Sequence, residues 1–230
     1  FTESFPLFGL DLRRYEELFE DRLELFARLL EEGPVTWSGT TRPPLTGQRV
    51  YPATASGRLP VWMGVGGTPA SLVRAARYGM PLVLAIIGGN PLAFVPYAQH
   101  YRAALAELGR DPLPVAVHSP GHVGETDERA RDELFPHFAA MHARIGRERG
   151  WPPLTRAGFE QMAGPEGALC VGSPATVAAK IVRTARALGL ARFALKYSAG
   201  TLPHEAMMRS IEAYATEVAP RVRAELAETA

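Results

Sequence analysis

Val61-Trp62-Met63-Gly64-Val65-Gly66-Gly67-Thr68-Pro69 is the stretch on which the fold turns. Its mostly apolar first half reads as a buried strand. Gly66 to Pro69 then reads as a turn into a helix. Thr68 stands at the N-cap and Pro69 at the first helical position, where a missing N–H costs nothing. That helix carries Leu72, Val73 and Ala76 and stops at Gly79.

The same order recurs downstream. Residues 82–87 are the next apolar strand, and Gly88-Gly89-Asn90-Pro91 is again a turn with Asn90 as cap. The following helix buries Phe94, Ala98, Tyr101, Leu105 and Leu108 and ends at Gly109. Residues 114–119 form a third strand. Residues 127–149 form a long helix with Leu134, Phe138, Met141 and Ile145 on one face. A Pro/Gly-rich excursion over 150–167 precedes a short extended piece at 168–171. Gly172-Ser173-Pro174 opens a capped helix that ends at Gly189, and residues 192–198 are a fourth core strand. The last helix runs over 203–218, with Pro220 bending or breaking it. Strands bounded by helices of this length imply βαβ units and a parallel sheet, as a barrel or as a doubly wound sheet.

Upstream of the deciding stretch the pattern is different. Residues 11–32 space Leu12, Tyr15, Phe19, Leu23, Phe26 and Leu30 as one helical stripe, with Asp11 as N-cap and Gly33-Pro34 as the stop. The prolines and glycines of residues 34–60 prevent a long helix there. Residues 35–37 and 49–51 suggest a hairpin or an ordered loop.

Composition narrows the function classes. A chain of 230 residues, 47% of them apolar, predicts a single domain over 1–230 with material for a core. Lys and Arg number 25 against 24 Asp and Glu, so neither a nucleic-acid footprint nor an acidic tail is expected. The single cysteine, Cys170, rules out an internal disulfide and a Cys-cluster zinc site. No apolar run reaches the ~20 residues of a membrane span, and no signal peptide is visible, so a soluble cytoplasmic protein is expected. The chain starts at Phe1 rather than Met, which reads as processing or as a fragment.

The chemistry is concentrated in the turns. Gly66 and Gly67 let backbone approach a ligand, the helix N-terminus beyond them suits a phosphate, and Thr68 adds a hydroxyl donor. The same residues also make a plain, well-capped turn. A Rossmann fingerprint fails, because Pro69 stands at its sixth position and no acid follows at the required distance; a Walker lysine is absent. Gly88 and Gly89 close the neighbouring strand in like fashion, and in a parallel α/β fold that rim is where ligands sit.

Of the six histidines, His118 and His204 are placed to face the rim. His118 and His122 flank Ser119-Pro120-Gly121, read as a turn, so they are not expected to share a metal. His100, His137 and His142 are expected at the surface of helices. Cys170 reads as an inert buried thiol, and Lys196 as an ordinary strand residue unless an aldolase-type barrel claims it. With no nucleophile motif and no carboxylate pair, a bound cofactor is expected to carry the chemistry.

The order of these segments resembles the bacterial luciferase-like flavin-dependent monooxygenase family, which includes deazaflavin-dependent oxidoreductases. The resemblance rests on Phe1-Thr2-Glu3-Ser4-Phe5-Pro6-Leu7-Phe8-Gly9, the helix over 15–30, Val35-Thr36-Trp37-Ser38-Gly39 and Leu59 through Pro69. It continues in Tyr78-Gly79-Met80-Pro81-Leu82, Gly172-Ser173-Pro174 and Gly200-Thr201-Leu202-Pro203-His204 through Pro220. It implies a (β/α)8 TIM-barrel fold with insertions, of which this chain is the C-terminal portion holding the last four βα units. Four such units without the first four leave open sheet edges, so weak or no flavin binding and no turnover are expected of this segment alone.

The resemblance places the flavin phosphate at Gly66, Gly67 and Thr68, with Val65, Ile86 and Gly88 as further cofactor contacts. The excursions over 34–60 and 150–167 would cover the substrate side. It implies a monooxygenase using reduced FMN and O2 on a small organic substrate, supplied by a separate flavin reductase and acting as a homodimer. Two alternatives share the scaffold: hydride transfer with a deazaflavin coenzyme, and a non-catalytic flavin- or phosphate-binding protein. No metal, nucleic acid or membrane is implied.

Overall fold

The computed structural model of the chain describes residues 2–228; Phe1, Thr229 and Ala230, and so the first residue of the resemblance, lie outside the described residues. The chain divides into two compact units, residues 1–61 and 62–230.

The first unit opens with α1 (Ser4–Leu7), a 3-10 turn (Leu12–Arg14) and α2 (Tyr15–Leu29). Asp11 caps the 3-10 turn by accepting from the Arg13 N–H. A hairpin follows, β1 (Val35–Trp37) against β2 (Leu45–Gln48), antiparallel. The second strand is therefore not the Arg49 to Tyr51 segment that the sequence suggested. Leu45 joins Leu25, Val35 and Trp37 in the small core, whereas Tyr51 is 77% exposed. Burial of one leucine sets the register where β-propensity alone pointed to the tyrosine. Gly39 is required here, since a Cβ would stand 2.1 Å from the Asp21 carboxylate and 2.2 Å from the Trp37 ring.

The second unit is a parallel sheet with helices. β3 (Met63–Val65) leads to α3 (Pro69–Arg77), and β4 (Leu82–Ala85) leads through a 3-10 turn (Pro91–Phe94) to α4 (Val95–Glu107). β5 (Val115–Val123) leads to α5 (Asp127–Arg149), α6 (Arg156–Ala163) and β6 (Cys170–Gly172). α7 (Pro174–Leu188), β7 (Arg192–Lys196), α8 (His204–Ala213) and α9 (Ala219–Ala227) complete it. All strand pairs are parallel: β3 with β4, β4 with β5, and β5 with both β6 and β7. This is the α/β architecture read from the strand–turn–helix order.

Three segments depart from the sequence reading. Ser119-Pro120-Gly121 is not a turn; β5 runs straight through it. The Ile86 N–H donates to the His118 carbonyl, so His118 aims its backbone at β4, and Pro120, two residues on, aims the same way. β4 ends at Ala85, registered with His118, so the N–H that proline lacks has no strand to meet.

Residues 150–167 hold a real helix, α6, whose cap is Thr155 and whose buried residues are Phe159 and Ala163. The Lys180 ammonium donates to the carbonyls of Ala163, Gly164 and Leu169, tying the end of this segment to α7. Finally, Pro220 does not end the last helix. A five-residue π-helical turn, Tyr214–Val218, precedes it, and the helix runs on as α9. Wider winding rearranges the hydrogen bonds around a residue that cannot donate one.

Candidate functional site

Parallel register makes the strand C-termini share one rim, and the pairing fixes which side chains share a face. Met63, Leu82 and Val115 stand abreast, as do Val65, Leu84, Val117 and Phe193. Every one of these except Phe193 is buried. The alternate positions are Gly64, Val83, Ala116 and Arg192 in one row, then Ala85, His118 and Ala194 in the next, small residues at most places. Gly64, Arg192 and Ala194 are exposed, Val83, Ala85 and His118 are half-buried, and Ala116 is buried. The rim thus has a largely open face with small side chains at most positions and the Arg192 side chain beside them.

Gly66 and Gly67 leave the end of β3 as the sequence anticipated. A Cβ on Gly66 would meet nothing within 4 Å, so space is open above its backbone. Gly67 has φ +126°, a conformation that side chains other than hydrogen strongly disfavour. Thr68 occupies the N-cap of α3, with Pro69 at the first helical position, but its side chain makes no capping hydrogen bond. The Ser71 N–H donates to the Thr68 carbonyl at 3.0 Å and Pro69 has no N–H, so the Thr68 hydroxyl and the Ala70 N–H are what this turn leaves for a ligand, with the positive end of the helix dipole behind them.

The other sequence-nominated residues fall as follows. Val65 is 2% exposed and turned to the buried face. Ile86 is fully buried; its N–H donates to His118 and its carbonyl accepts from Ser119 Oγ at 2.9 Å. Ile87, the next residue, is the exposed apolar side chain of this turn. Gly88 lies in open space, and Asn90 caps the following turn while its amide donates to Glu166 at 3.0 Å.

Tyr97 was missed by sequence reasoning. Its hydroxyl lies 3.8 Å from where a Gly67 Cβ would be, and it has no hydrogen-bond partner among the described residues. A tyrosine one turn into α4 carries no motif, so only the packing of α4 beside α3 brings it to the glycine turn.

The histidines separate clearly. His118 is half-buried at the rim, and burial together with the Lys196 charge holds its imidazole below the ordinary value. His122 is fully buried and bonded through Nε2 to Glu133 at 3.0 Å. Four residues of strand put these two about 13 Å apart, too far to share a metal. Among the described residues no group of three or more potential metal ligands occurs. Only His100 of the three helical histidines is fully at the surface. His137 is half-buried and bonded to Thr201 Oγ1, and His142 is half-buried against Trp151. The prediction of three surface histidines fails for these two because α5 is flanked by the α5–α6 connection on one side and the loop after β7 on the other. His204 is exposed at the first residue of α8. Cys170 is buried, and burial pushes its thiol up to about 11, as an inert thiol requires. Among the described residues no helix is long and apolar enough to cross a membrane.

Comparison with solved structures finds the same fold in several proteins. The monooxygenase RslO1 from Streptomyces bottropensis is 23% identical, with a TM-score of 0.77 over 95% of this chain and 65% of that one. The oxygenating constituent of 3,6-diketocamphane monooxygenase from the CAM plasmid of Pseudomonas putida, in complex with FMN, is 18% identical, with a TM-score of 0.64 over 87% and 62%. The coenzyme F420 dependent tetrahydromethanopterin reductase from Methanopyrus kandleri is 19% identical, with a TM-score of 0.56 over 90% and 63%. The chain spans less than two thirds of the length of each of these. A comparison with curated proteins found no match. The family model for luciferase-like monooxygenases matches residues 1–192. The chain belongs to the luciferase-like monooxygenase family.

Proposed function

We propose that the chain is part of a flavin-dependent monooxygenase that uses reduced FMN and O2 on a small organic substrate. The observation that carries the reading is the turn after β3: Gly66 with open space above it, Gly67 at φ +126°, and a Thr68 hydroxyl unused by its own helix. Backbone N–H groups, a helix N-terminus and a free hydroxyl make a fitting cradle for the phosphate of a flavin. The family match and the two monooxygenases of like fold support the redox chemistry.

On this reading Gly66, Gly67 and Thr68 hold the phosphate, and Gly88 leaves backbone accessible for the ring system at the end of β4. Val65 and Ile86 shape the site from beneath. When bound, the reduced flavin supplies the electrons and the reaction with O2. The chain's own part is to bind, to orient and to keep water away with Ile87 and the small residues of the open face. A separate reductase supplies the reduced cofactor, and a homodimer is the working assembly.

The test is FMN titration of the full-length protein containing this chain and of its double variant Gly67→Ala/Thr68→Ala, followed by flavin fluorescence. Affinity at least tenfold weaker in the variant is expected. Affinity within threefold of the parent would overturn the phosphate site. Coenzyme F420 run in parallel decides between flavin and deazaflavin.

A further inference from the structure

His118 and Lys196 share the open face at the rim. β5 and β7 register His118 with Ala194 and Pro120 with Lys196, so the two side chains stand on one face, two residues apart along adjacent strands. His118 is flanked at its own level by Ala85 on β4 and Ala194 on β7, both bearing only a methyl group, and is itself half-buried. Neither imidazole nitrogen has a hydrogen-bond partner among the described residues. Lys196 Nζ makes one bond, to the Ser198 carbonyl at 2.9 Å, and no ion pair among the described residues. An ammonium without an ion pair beside an unpartnered imidazole, with no carboxylate in salt-bridge contact among the described residues, is a site for an anion. Burial first, and then the Lys196 charge, disfavours a positive charge on His118, and a neutral imidazole offers one donor and one acceptor.

We propose that His118 and Lys196 bind the substrate, and that the substrate is a small, largely apolar molecule bearing one carboxylate. Lys196 supplies the charge, His118 a hydrogen bond, and the alanine floor the apolar surface. The proposal rests on the reading of this rim as the active site, and it adds the substrate class. Gly66 follows the Val65–Leu84 pair and so lies level with Ala85 and His118, about 10 Å from His118 across two strand spacings. Cofactor phosphate and substrate carboxylate therefore have separate places on one face.

The experiment uses benzoate as probe, with benzyl alcohol as its neutral counterpart, followed through the His118 ring signals by NMR. Saturable shifts with benzoate and none with benzyl alcohol are expected. Lys196→Met is expected to weaken benzoate at least tenfold, and Lys196→Arg to retain binding within threefold, which also guards against a folding defect. Flavin affinity is expected to stay within twofold in Lys196→Met. Unperturbed His118 signals, equal response to benzyl alcohol, or unchanged benzoate binding in Lys196→Met would each overturn the proposal. Benzoate binding that survives Gly67→Ala/Thr68→Ala while flavin affinity is also unchanged there would leave this site standing and remove the cofactor assignment instead.

Discussion

The Tyr97 phenol of α4 lies over Gly67, its hydroxyl 3.8 Å from the position of a Cβ there. That is ordinary contact distance, so an alanine at 67 would fit in space but not in backbone, because φ is +126°. Gly67→Ala is expected to cost about 1–3 kcal/mol of stability through strain, read by urea denaturation. Gly66→Ala, in open space and without positive φ, is expected to cost far less.

The Tyr97 hydroxyl has nothing to lose on removal, since it bonds to no described residue. Tyr97→Phe keeps the ring contacts, including the one with Phe94 at 5.4 Å between centroids. Unchanged thermal stability is expected, together with FMN affinity lower by about threefold to tenfold, the worth of one hydrogen bond to a bound phosphate. Identical affinity in the variant would remove Tyr97 from the site.

Tyr101, one turn further along α4, has the opposite circumstance. It is fully buried and its hydroxyl donates to the Met80 carbonyl at 2.8 Å. Tyr101→Phe is expected to cost about 1–2 kcal/mol, because a buried carbonyl loses its donor. Burial pushes its phenol up to about 12 from the ordinary 10.0. Its neutral form is what the fold accommodates, so this contribution is intact below pH 10 and is lost as pH rises toward 12. Absorbance titration at alkaline pH should show Tyr101 ionising only with unfolding, with Tyr214, whose phenol burial also raises, titrating late beside it.

Asp127 joins two helix starts. Its carboxylate accepts from the Ser173 N–H at 2.7 Å and the Thr176 hydroxyl at 2.9 Å, linking α5 to α7. Burial raises its carboxyl, but these hydrogen bonds outweigh that and hold it below the ordinary 3.8. The contribution is therefore complete above pH 3.8 and lost as pH falls through the lower folded value. Asp127→Ala is expected to cost about 2–3 kcal/mol at neutral pH and to flatten the acid limb of the stability profile.

Cys170 gives a simple check on the core. Its thiol is buried and pushed up to about 11, so the thiolate is scarce and inaccessible at pH 8. A thiol reagent should find no reactive group in the native protein and one per chain in denaturant. Rapid labelling of the native state would contradict the packing of β6.

Much of this fold could be read along the chain because its signals are local. Thr126, Thr155 and Ser173 cap their helices through their own hydroxyls, and Gly150 and Gly189 end α5 and α7 in the left-handed conformation. These are contacts over three or four residues, and such contacts leave marks at fixed spacing. Even the α6 helix had its signal, Thr155 followed by Phe159 and Ala163, masked by the prolines and glycines around it. The π-helical turn before Pro220 had none, since a widened turn depends on what the helix packs against.

The amino-acid sequence by itself determined the order of strands and capped helices, the glycine turn with Thr68, and the buried character of Cys170. It did so because period, caps and glycine punctuation act within a few residues. Only the tertiary structure decided that β5 runs through Pro120, that Tyr97 reaches Gly67, and that His118 and Lys196 stand together on one face. Those relations depend on strand register and helix packing between residues tens of positions apart, and nothing in the local spacing of either partner encodes them.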